Sequence, residues 1–490
     1  MSNDQKSNYF DKDLNITMLT DFYELTMGGG YFHNGLKDTI GHFDLFYRHV
    51  PDNGGYVIAA GLEQMVDYLN GLHFTEEDLD YLKSRGFADD FLDYLRDFEF
   101  ACDVWAIPEG TPVFPNEPVV HVRGLVIQAQ FIETAMLMLF NHQSLIATKA
   151  NRIVRAADGR AVMEFGSRRS HGAMAAVHGA RAAYIGGAVG TACALDGRDY
   201  GIPALGTMAH SWVQMFDTEL DAFLAYAREY PQSCTLLVDT FNVLKSGVPN
   251  AIEAFNREVV PRGFRPAGIR IDSGDITYLS KKARKMLDDA GFPDCGIVAS
   301  NSLDEYLISD MLEQGAEITS FGVGERMITA KSSPVLDGVY KLCAIEEDGK
   351  VIPKIKLSND IVKIVNPSFK SLYRAYDKKS GYAMADVMCE RGEKLPEDIM
   401  IITSLQEFSK YTTIENYDLV ELQKEIFRDG ELVYEDPSLD EKTDYCKSEI
   451  ARLYPEVRRI FNPHEYYVDG SEKYVELKRS MIRNGGKLNV

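Results

Sequence analysis

The 490-residue chain is poor in cysteine, in basic charge and in long apolar runs, and each shortage closes a class of function. Its seven cysteines (Cys102, Cys193, Cys234, Cys295, Cys343, Cys389 and Cys446) are scattered and odd in number, which argues against a disulfide framework and fits a reducing compartment. Neither His-Glu-x-x-His nor Cys-x-x-Cys occurs, so no zinc site is expected. Lys and Arg number 52 against 74 Asp and Glu, a formal net charge of −22. No basic excess exists to meet a polyphosphate or an anionic bilayer, so neither nucleic acid nor a membrane is an expected partner. The most lipid-like stretch, Gly172 to Leu195, carries His178 and Arg181 and is read as packed core. Polar Met1 to Lys12 lacks the basic-then-apolar layout of a signal peptide, and a cytoplasmic protein is the expectation.

Apolar content of 45% and charged content of 26% are those of a globular protein, and the length accommodates two or three domains. Between about residues 125 and 340, short apolar runs alternate with amphipathic stretches. Candidate strands are Ala161 to Phe165, Pro203 to Met208, Thr235 to Asp239, Gly268 to Asp272, Gly296 to Ser300 and Ile318 to Gly322. Candidate helices between them are Thr218 to Arg228, Val248 to Val259, Ile276 to Ala290 and Leu303 to Gln314. Near-continuous apolar strands alternating with amphipathic helices predict an α/β domain with a parallel sheet covered on both faces. The flanks differ. Thr39 to Tyr47 alternates like a strand, Asp78 to Phe98 is an amphipathic helical stretch, and Val339 to Ile345 and Lys354 to Val365 look like strands returning to this layer. The expected organisation is an α+β domain at 1–124, completed by about 339–400, a catalytic α/β domain at 125–338, and a charged, mostly helical region appended at 401–490.

In barrels and doubly wound sheets the ligand lies beyond the carboxyl ends of the strands. Those ends carry Glu164, Phe165 and Arg168, then Thr207, His210 and Ser211, then Asp239 and Thr240, then Asp272, Ser273 and Asp275, then Asn301, and last Gly322 and Gly324. In Gly206-Thr207-Met208-Ala209-His210-Ser211-Trp212 the histidine has three chemical uses, as base, metal ligand or phosphoryl acceptor, and an ordinary hydrogen-bonded structural use besides. Arg270 and Asp272 are strand neighbours two apart and share a face; the arginine offers a planar fork for a carboxylate or phosphate, or a structural partner for the aspartate. Glu164 to Arg169 sets an aromatic ring beside two arginines, and Ser320-Phe321-Gly322-Val323-Gly324 forms either a phosphate-approaching turn or a merely tight one. Leu19 to Met27 begins an amphipathic helix with Thr20 or Asp21 as its cap, and Tyr23 on it reads as packing.

Thr20 to Met27, Phe43-Asp44-Leu45-Phe46-Tyr47-Arg48, Glu164 to Arg169, Gly206 to Ser211, Leu237 to Gly247, Arg270 to Asp275 and Val339-Tyr340-Lys341-Leu342 together resemble the nicotinate phosphoribosyltransferase family, in order, from about residue 16 to 365. The resemblance implies the irregular (β/α) barrel of the type II phosphoribosyltransferases. It implies condensation of nicotinate with phosphoribosyl pyrophosphate, coupled to ATP hydrolysis and served by Mg2+, in a homodimer whose active site takes Tyr23 and Arg48 from the neighbouring subunit. Carried over by residue, Tyr23 and Phe165 sandwich the pyridine ring, and Thr207 and Arg270 meet its carboxylate. Asp272 is a catalytic residue at the ribose; Arg48, Arg168, Ser273, Gly322 and Gly324 bind phosphoribosyl pyrophosphate; His210 is the histidine phosphorylated by ATP. The chain departs from the family pattern at Glu325, where many members carry threonine, and at Asn366-Pro367-Ser368-Phe369-Lys370, which lacks a glycine often found after the proline. Two other readings are a nicotinamide phosphoribosyltransferase and a catalytically silent ligand-binding homologue.

Overall fold

A computed structural model describes residues 15–359 and 363–487, so the Met1 to Lys12 reading falls outside the described residues. The chain divides into two compact units, one made of residues 1–145 and 335–490 and the other of residues 146–334.

In chain order the first unit begins with α1 (Phe22–His33), β1 (Ile40–Phe46), β2 (Val57–Ile58), α2 (Leu62–Asn70), α3 (Glu76–Ser84), α4 (Asp89–Arg96), β3 (Asp103–Ala106), β4 (Pro112–Val113), β5 (Val120–Leu125) and α5 (Val126–Phe131). The boundary falls inside α6 (Glu133–Ala156). The single helical stretch expected at Asp78 to Phe98 is two helices: Gly86, at φ +93°, takes a left-handed turn that a side chain would resist, and Thr75 and Asp78 form a capping box on α3.

The second unit carries β6 (Ala161–Glu164), α7 (Ala173–Ile185), α8 (Ala194–Asp199), α9 (His210–Gln214), α10 (Glu219–Glu229), β7 (Thr235–Leu237), α11 (Val248–Ala254), β8 (Gly268–Ile271), α12 (Ile276–Asp289), β9 (Gly296–Ser300), α13 (Glu305–Glu313), β10 (Ser320–Val323) and α14 (Glu325–Ile328). Five of its strands form a parallel sheet in the order β6-β10-β9-β8-β7. Leu236, Ile269, Ile271, Ile297, Ala299, Phe321 and Val323 are fully buried, the expected fate of apolar strands covered on both faces. Beyond β6 the ladder continues only as single bridges, Glu164 to Thr191 and Thr191 to Ala204. The strand expected at Pro203 to Met208 is thus reduced to one bridging residue, and among the described residues no hydrogen-bonded ladder joins it to β7; the ring of strands is open there. Helix starts follow local chemistry: Thr218, Asp275 and Asp304 each accept a backbone N–H in the first turn of α10, α12 and α13.

The first unit resumes with β11 (Val339–Glu347), β12 (Lys350–Pro353), β13 (Lys370–Asp377), β14 (Ala383–Glu390), β15 (Ile399–Ser404), β16 (Tyr411–Glu415), β17 (Tyr417–Glu421), β18 (Lys424–Arg428), β19 (Glu431–Leu432), α15 (Leu439–Ala451), β20 (Val468–Ser471) and α16 (Glu472–Arg483). A seven-stranded sheet has the order β12-β11-β1-β5-β3-β18-β19, and a six-stranded sheet β16-β15-β20-β14-β13-β17. Two expectations are corrected here. Lys354 to Val365 is not a strand: the ladder ends at Pro353, and residues 360–362 lie outside the described residues. Residues 401–490 are neither mostly helical nor appended, since β18 pairs with β3 and β20 with β14 inside the sheets of the first unit. Lys424–Arg428 carries three charged residues around a buried Ile426 and Phe427, and charge alone does not separate such a strand from a solvated helix.

Candidate active site

At the carboxyl end of β8, Arg270 and Asp272 share a face as their spacing predicts. Arg270 Nη2 donates to Asp272 Oδ1 at 2.8 Å, and its Nε donates to Ser300 Oγ at 2.8 Å. Ser300 in turn donates to Asp272 Oδ1. Two partners therefore hold the guanidinium fork, and its carbon lies 5.6 Å from the centre of the half-buried Phe165 ring. Ser300 was missed from sequence because Asn301 looked like the strand end; parallel pairing of β8 with β9 brings the preceding residue to the rim.

Beside this group, Asp239 Oδ2 accepts the Asp272 N–H at 3.1 Å and the Ser273 hydroxyl at 2.6 Å, while Asp239 Oδ1 is buried without a partner. Asp239 and Ser273 line a cavity of about 340 Å³ that also takes in Asn242 and Lys245. His210 opens α9, with Nδ1 3.1 Å from Thr240 Oγ1, and Trp212 behind it donates Nε1–H to Ala222 O at 3.1 Å. Thr207 Oγ1 is buried and unpartnered. Asp275, the second carboxylate of the Arg270 to Asp275 motif, is spent as the cap of α12, accepting Tyr278 N–H at 2.9 Å.

The turn after β6 is built on Glu164. Burial pushes its carboxyl above the usual carboxylate range; it accepts Thr191 Oγ1–H at 2.7 Å and the Gly166 N–H. Arg168 and Arg169 follow in an exposed single turn flanked by the buried, unpartnered hydroxyls of Ser167 and Ser170. Gly322, expected at the phosphates, sits inside β10, paired on both edges, and a methyl group there would lie 2.5 Å from the Phe165 ring. Its missing side chain makes room for that ring. Gly324 caps α14 beyond the strand. Glu325 turns to Lys331 Nζ at 2.6 Å, which holds its carboxyl below the ordinary value. Ser368, the residue after Pro367, adopts φ +74°, a left-handed conformation that favours glycine.

Tyr23 and Arg48 belong to the first unit. Tyr23 is 44% exposed on α1. Arg48 follows β1, has a buried Nε without a partner, and lines a cavity of about 930 Å³ within that unit. Two groups in the first unit have metal-like spacing, Asp44 with His121 and Cys343, and Glu63 with Glu109 and Asp436. Each already has an ammonium: Lys370 on Asp44 in the first, and Lys442 within 3.0 Å of all three carboxylates in the second. Among the described residues no helix is long and apolar enough to cross a membrane.

The sequence matches three family models along its length: the nicotinate phosphoribosyltransferase N-terminal domain at residues 18–141, the nicotinate phosphoribosyltransferase family at 160–381 and the corresponding C-terminal domain at 369–478. A nicotinate phosphoribosyltransferase of Bacillus subtilis (strain 168) is 40% identical over 468 residues, covering 95% of this chain and 94% of that one. One from Mycobacterium tuberculosis is 39% identical over 94% of this chain and 93% of its own. The crystal structure of human nicotinic acid phosphoribosyltransferase superimposes with a TM-score of 0.82 at 27% identity, over 95% of this chain and 100% of that one. The chain belongs to the nicotinate phosphoribosyltransferase family.

Proposed function

We propose that the protein joins nicotinate to phosphoribosyl pyrophosphate, giving nicotinate mononucleotide and pyrophosphate with hydrolysis of ATP, as a cytoplasmic homodimer in NAD salvage. The observation that carries this reading is the Arg270 fork, oriented by Asp272 and Ser300 and set over Phe165, in a chain of this family. A planar aromatic acid needs a ring platform and a fork-shaped cation for its carboxylate, and the two side chains supply both.

The ring nitrogen of nicotinate attacks ribose C1 as the bond from C1 to the pyrophosphate oxygen breaks. Positive charge develops on the ribose in that step, so positioning and fixed negative groups lower the barrier. Asp272 accepts from a ribose hydroxyl, Thr207 meets the nicotinate carboxylate with Arg270, and Arg168, Ser273 and Gly324 bind phosphate oxygens. Tyr23 and Arg48 of a neighbouring subunit close the ring site and meet the pyrophosphate. Nδ1 of His210 is engaged with Thr240, which leaves Nε2 to take the γ-phosphoryl group of ATP with release of ADP; water later cleaves the N–P bond to phosphate. The unpartnered Asp239 Oδ1 suits a hard divalent cation, and Mg2+ held there beside Asp272 would offset charge on the departing pyrophosphate.

Pyrophosphate release measured with nicotinate or nicotinamide, with and without ATP, tests the reading. Turnover of nicotinate stimulated by ATP is expected, and a preference for nicotinamide overturns it. With ATP labelled in the γ-phosphoryl group, His210→Ala takes up no label; uptake equal to wild type removes the phosphohistidine.

A further inference from the structure

The turn that carries Tyr23 is tied down by a carboxyl group that no lysine or arginine pairs with among the described residues. Glu24 is 1% exposed on α1. Its Oε1 accepts the Thr134 hydroxyl at 2.8 Å, and its Oε2 is hydrogen-bonded to Thr20 Oγ1. Thr20 Oγ1 also lies 3.1 Å from the carbonyl oxygen of Phe131 at the end of α5, and Thr134 Oγ1 accepts the Asp21 N–H at 3.1 Å. These bonds join the first turn of α1 to α5 and α6 around one carboxyl group.

In both contacts Thr20 Oγ1 is placed to donate, to Glu24 Oε2 and to Phe131 O. The Phe131 carbonyl can only accept, and the Thr20 hydroxyl has one proton to give. If that proton goes to Phe131, the bond between Thr20 and Glu24 needs a proton from Glu24. With one hydroxyl proton between them, both contacts become full hydrogen bonds only when Glu24 is a neutral acid that donates to Thr20. As a carboxylate, it draws the Thr20 proton to itself, and the Phe131 carbonyl loses the Thr20 bond. We propose that Glu24 is a positioning residue that carries its proton in the nicotinate-binding state, and that this proton fixes the turn presenting Tyr23. The proposal rests on Tyr23 holding the pyridine ring, as proposed above.

The surroundings agree. Asp21 and the Tyr23 phenol on α1, Glu133 on α6 and the Tyr68 phenol on α2 are the titratable groups that face Glu24; α5 offers none, and no lysine or arginine among the described residues pairs with it. Lys341 Nζ, on β11, lies 3.6 Å from Glu133 and is engaged there. Burial, with Glu133 and Asp21 adding to it, pushes the Glu24 carboxyl up to about 7; the Thr20 and Thr134 hydroxyls, which can donate to the ionised form, oppose that rise without cancelling it. The proton therefore leaves across the neutral range, and three carboxylates then crowd the base of α1.

Steady-state kinetics on the full chain from pH 6 to 8.5, at saturating ATP and phosphoribosyl pyrophosphate, test this with wild type, Glu24→Gln and Tyr23→Ala. In wild type, KM for nicotinate rises about three- to tenfold through neutral pH, the factor one lost hydrogen bond supports, with a smaller change in kcat. In Glu24→Gln the amide donates to Thr20 and accepts from Thr134 at every pH, so the rise disappears; substrate ionisation is common to both proteins and cancels. An equal rise in the two proteins overturns the proposal. Tyr23→Ala leaving KM unchanged overturns instead the assignment of Tyr23 to the ring. Infrared difference spectra between pH 6 and 8.5 read the proton directly: a protonated-carboxyl C=O band lost at high pH and missing in Glu24→Gln is expected, and its absence from wild type at pH 6 overturns the proposal whatever the kinetics.

Discussion

Two Arg–Asp pairs in this molecule are made of the same atoms and have opposite characters. Arg374 and Asp386 face each other across β13 and β14 with side chains 0% exposed. The pairing is bidentate at 2.8 and 2.6 Å; Arg374 also donates to Pro112 O at 2.8 Å, and Tyr466 donates to Asp386 Oδ1 at 2.9 Å. Arg270 and Asp272 stand two apart on one strand end, 15% and 29% exposed, with a single bond between them and Ser300 as the shared third party. The first pair spends its directional bonds on the fold. The second keeps donor and acceptor capacity facing an aromatic ring and an unpartnered carboxylate oxygen, the condition a binding site needs.

The comparison breaks most visibly at the closed pair. Arg374→Ala leaves Asp386 buried without its cation and is expected to cost ~3–5 kcal/mol of stability, seen as insoluble protein or a collapsed melting temperature. Arg270→Ala is expected to leave the melting temperature within a few degrees of wild type while kcat/KM for nicotinate falls about 100-fold, the worth of a charge-assisted fork; equal destabilisation by both substitutions would erase the distinction.

A pH titration of stability sharpens it further. Burial drives the His42 imidazole down to about 3, and the buried His121, hydrogen-bonded at 2.7 Å to Asp44, is lowered too. Both protonate more readily once unfolded. Their contribution is complete above the unfolded value near 6.5 and is lost as pH falls, by about 2 kcal/mol at pH 5 from His42 alone. Raised carboxyls such as Glu24 act with the opposite sign in the same window, so thermal unfolding of wild type and His42→Gln is compared from pH 8 to 5, and a difference between the two proteins that does not change with pH contradicts it. The smallest effect is expected at Glu325→Thr: because the carboxylate already turns to exposed Lys331, kcat/KM changes by less than about twofold.

Legibility differed between the two units for a physical reason. Strands β7 to β10 are short, apolar and separated by capped helices, so period and capping chemistry located them and their polar ends together. The strand read at Pro203 to Met208 failed because apolar content alone does not supply a neighbour to pair with, and only Ala204 finds one. Lys424–Arg428 carries enough charge to resemble a solvated helix, and its strand state is decided by partners more than 300 residues away, whereas Tyr411–Glu415, with one charged residue, is set by a nearby hairpin. Among candidate site residues, Arg270, Asp272 and Phe165 were legible as strand-end groups, whereas Ser300 and the Asp239 link to Ser273 depend on which strands lie side by side.

By itself the sequence determined the alternating α/β segment, the rim of polar strand ends and, through its motifs, the family, because these reside in local periodicity and in short runs of residues. Tertiary structure alone decided that Arg270 is oriented by Ser300, that Gly322 yields its space to Phe165, and that Glu24 is buried against Thr134 with no lysine or arginine paired to it among the described residues. Each of those depends on the distance between groups far apart in the chain, and hydrogen bonding and desolvation depend on that distance alone.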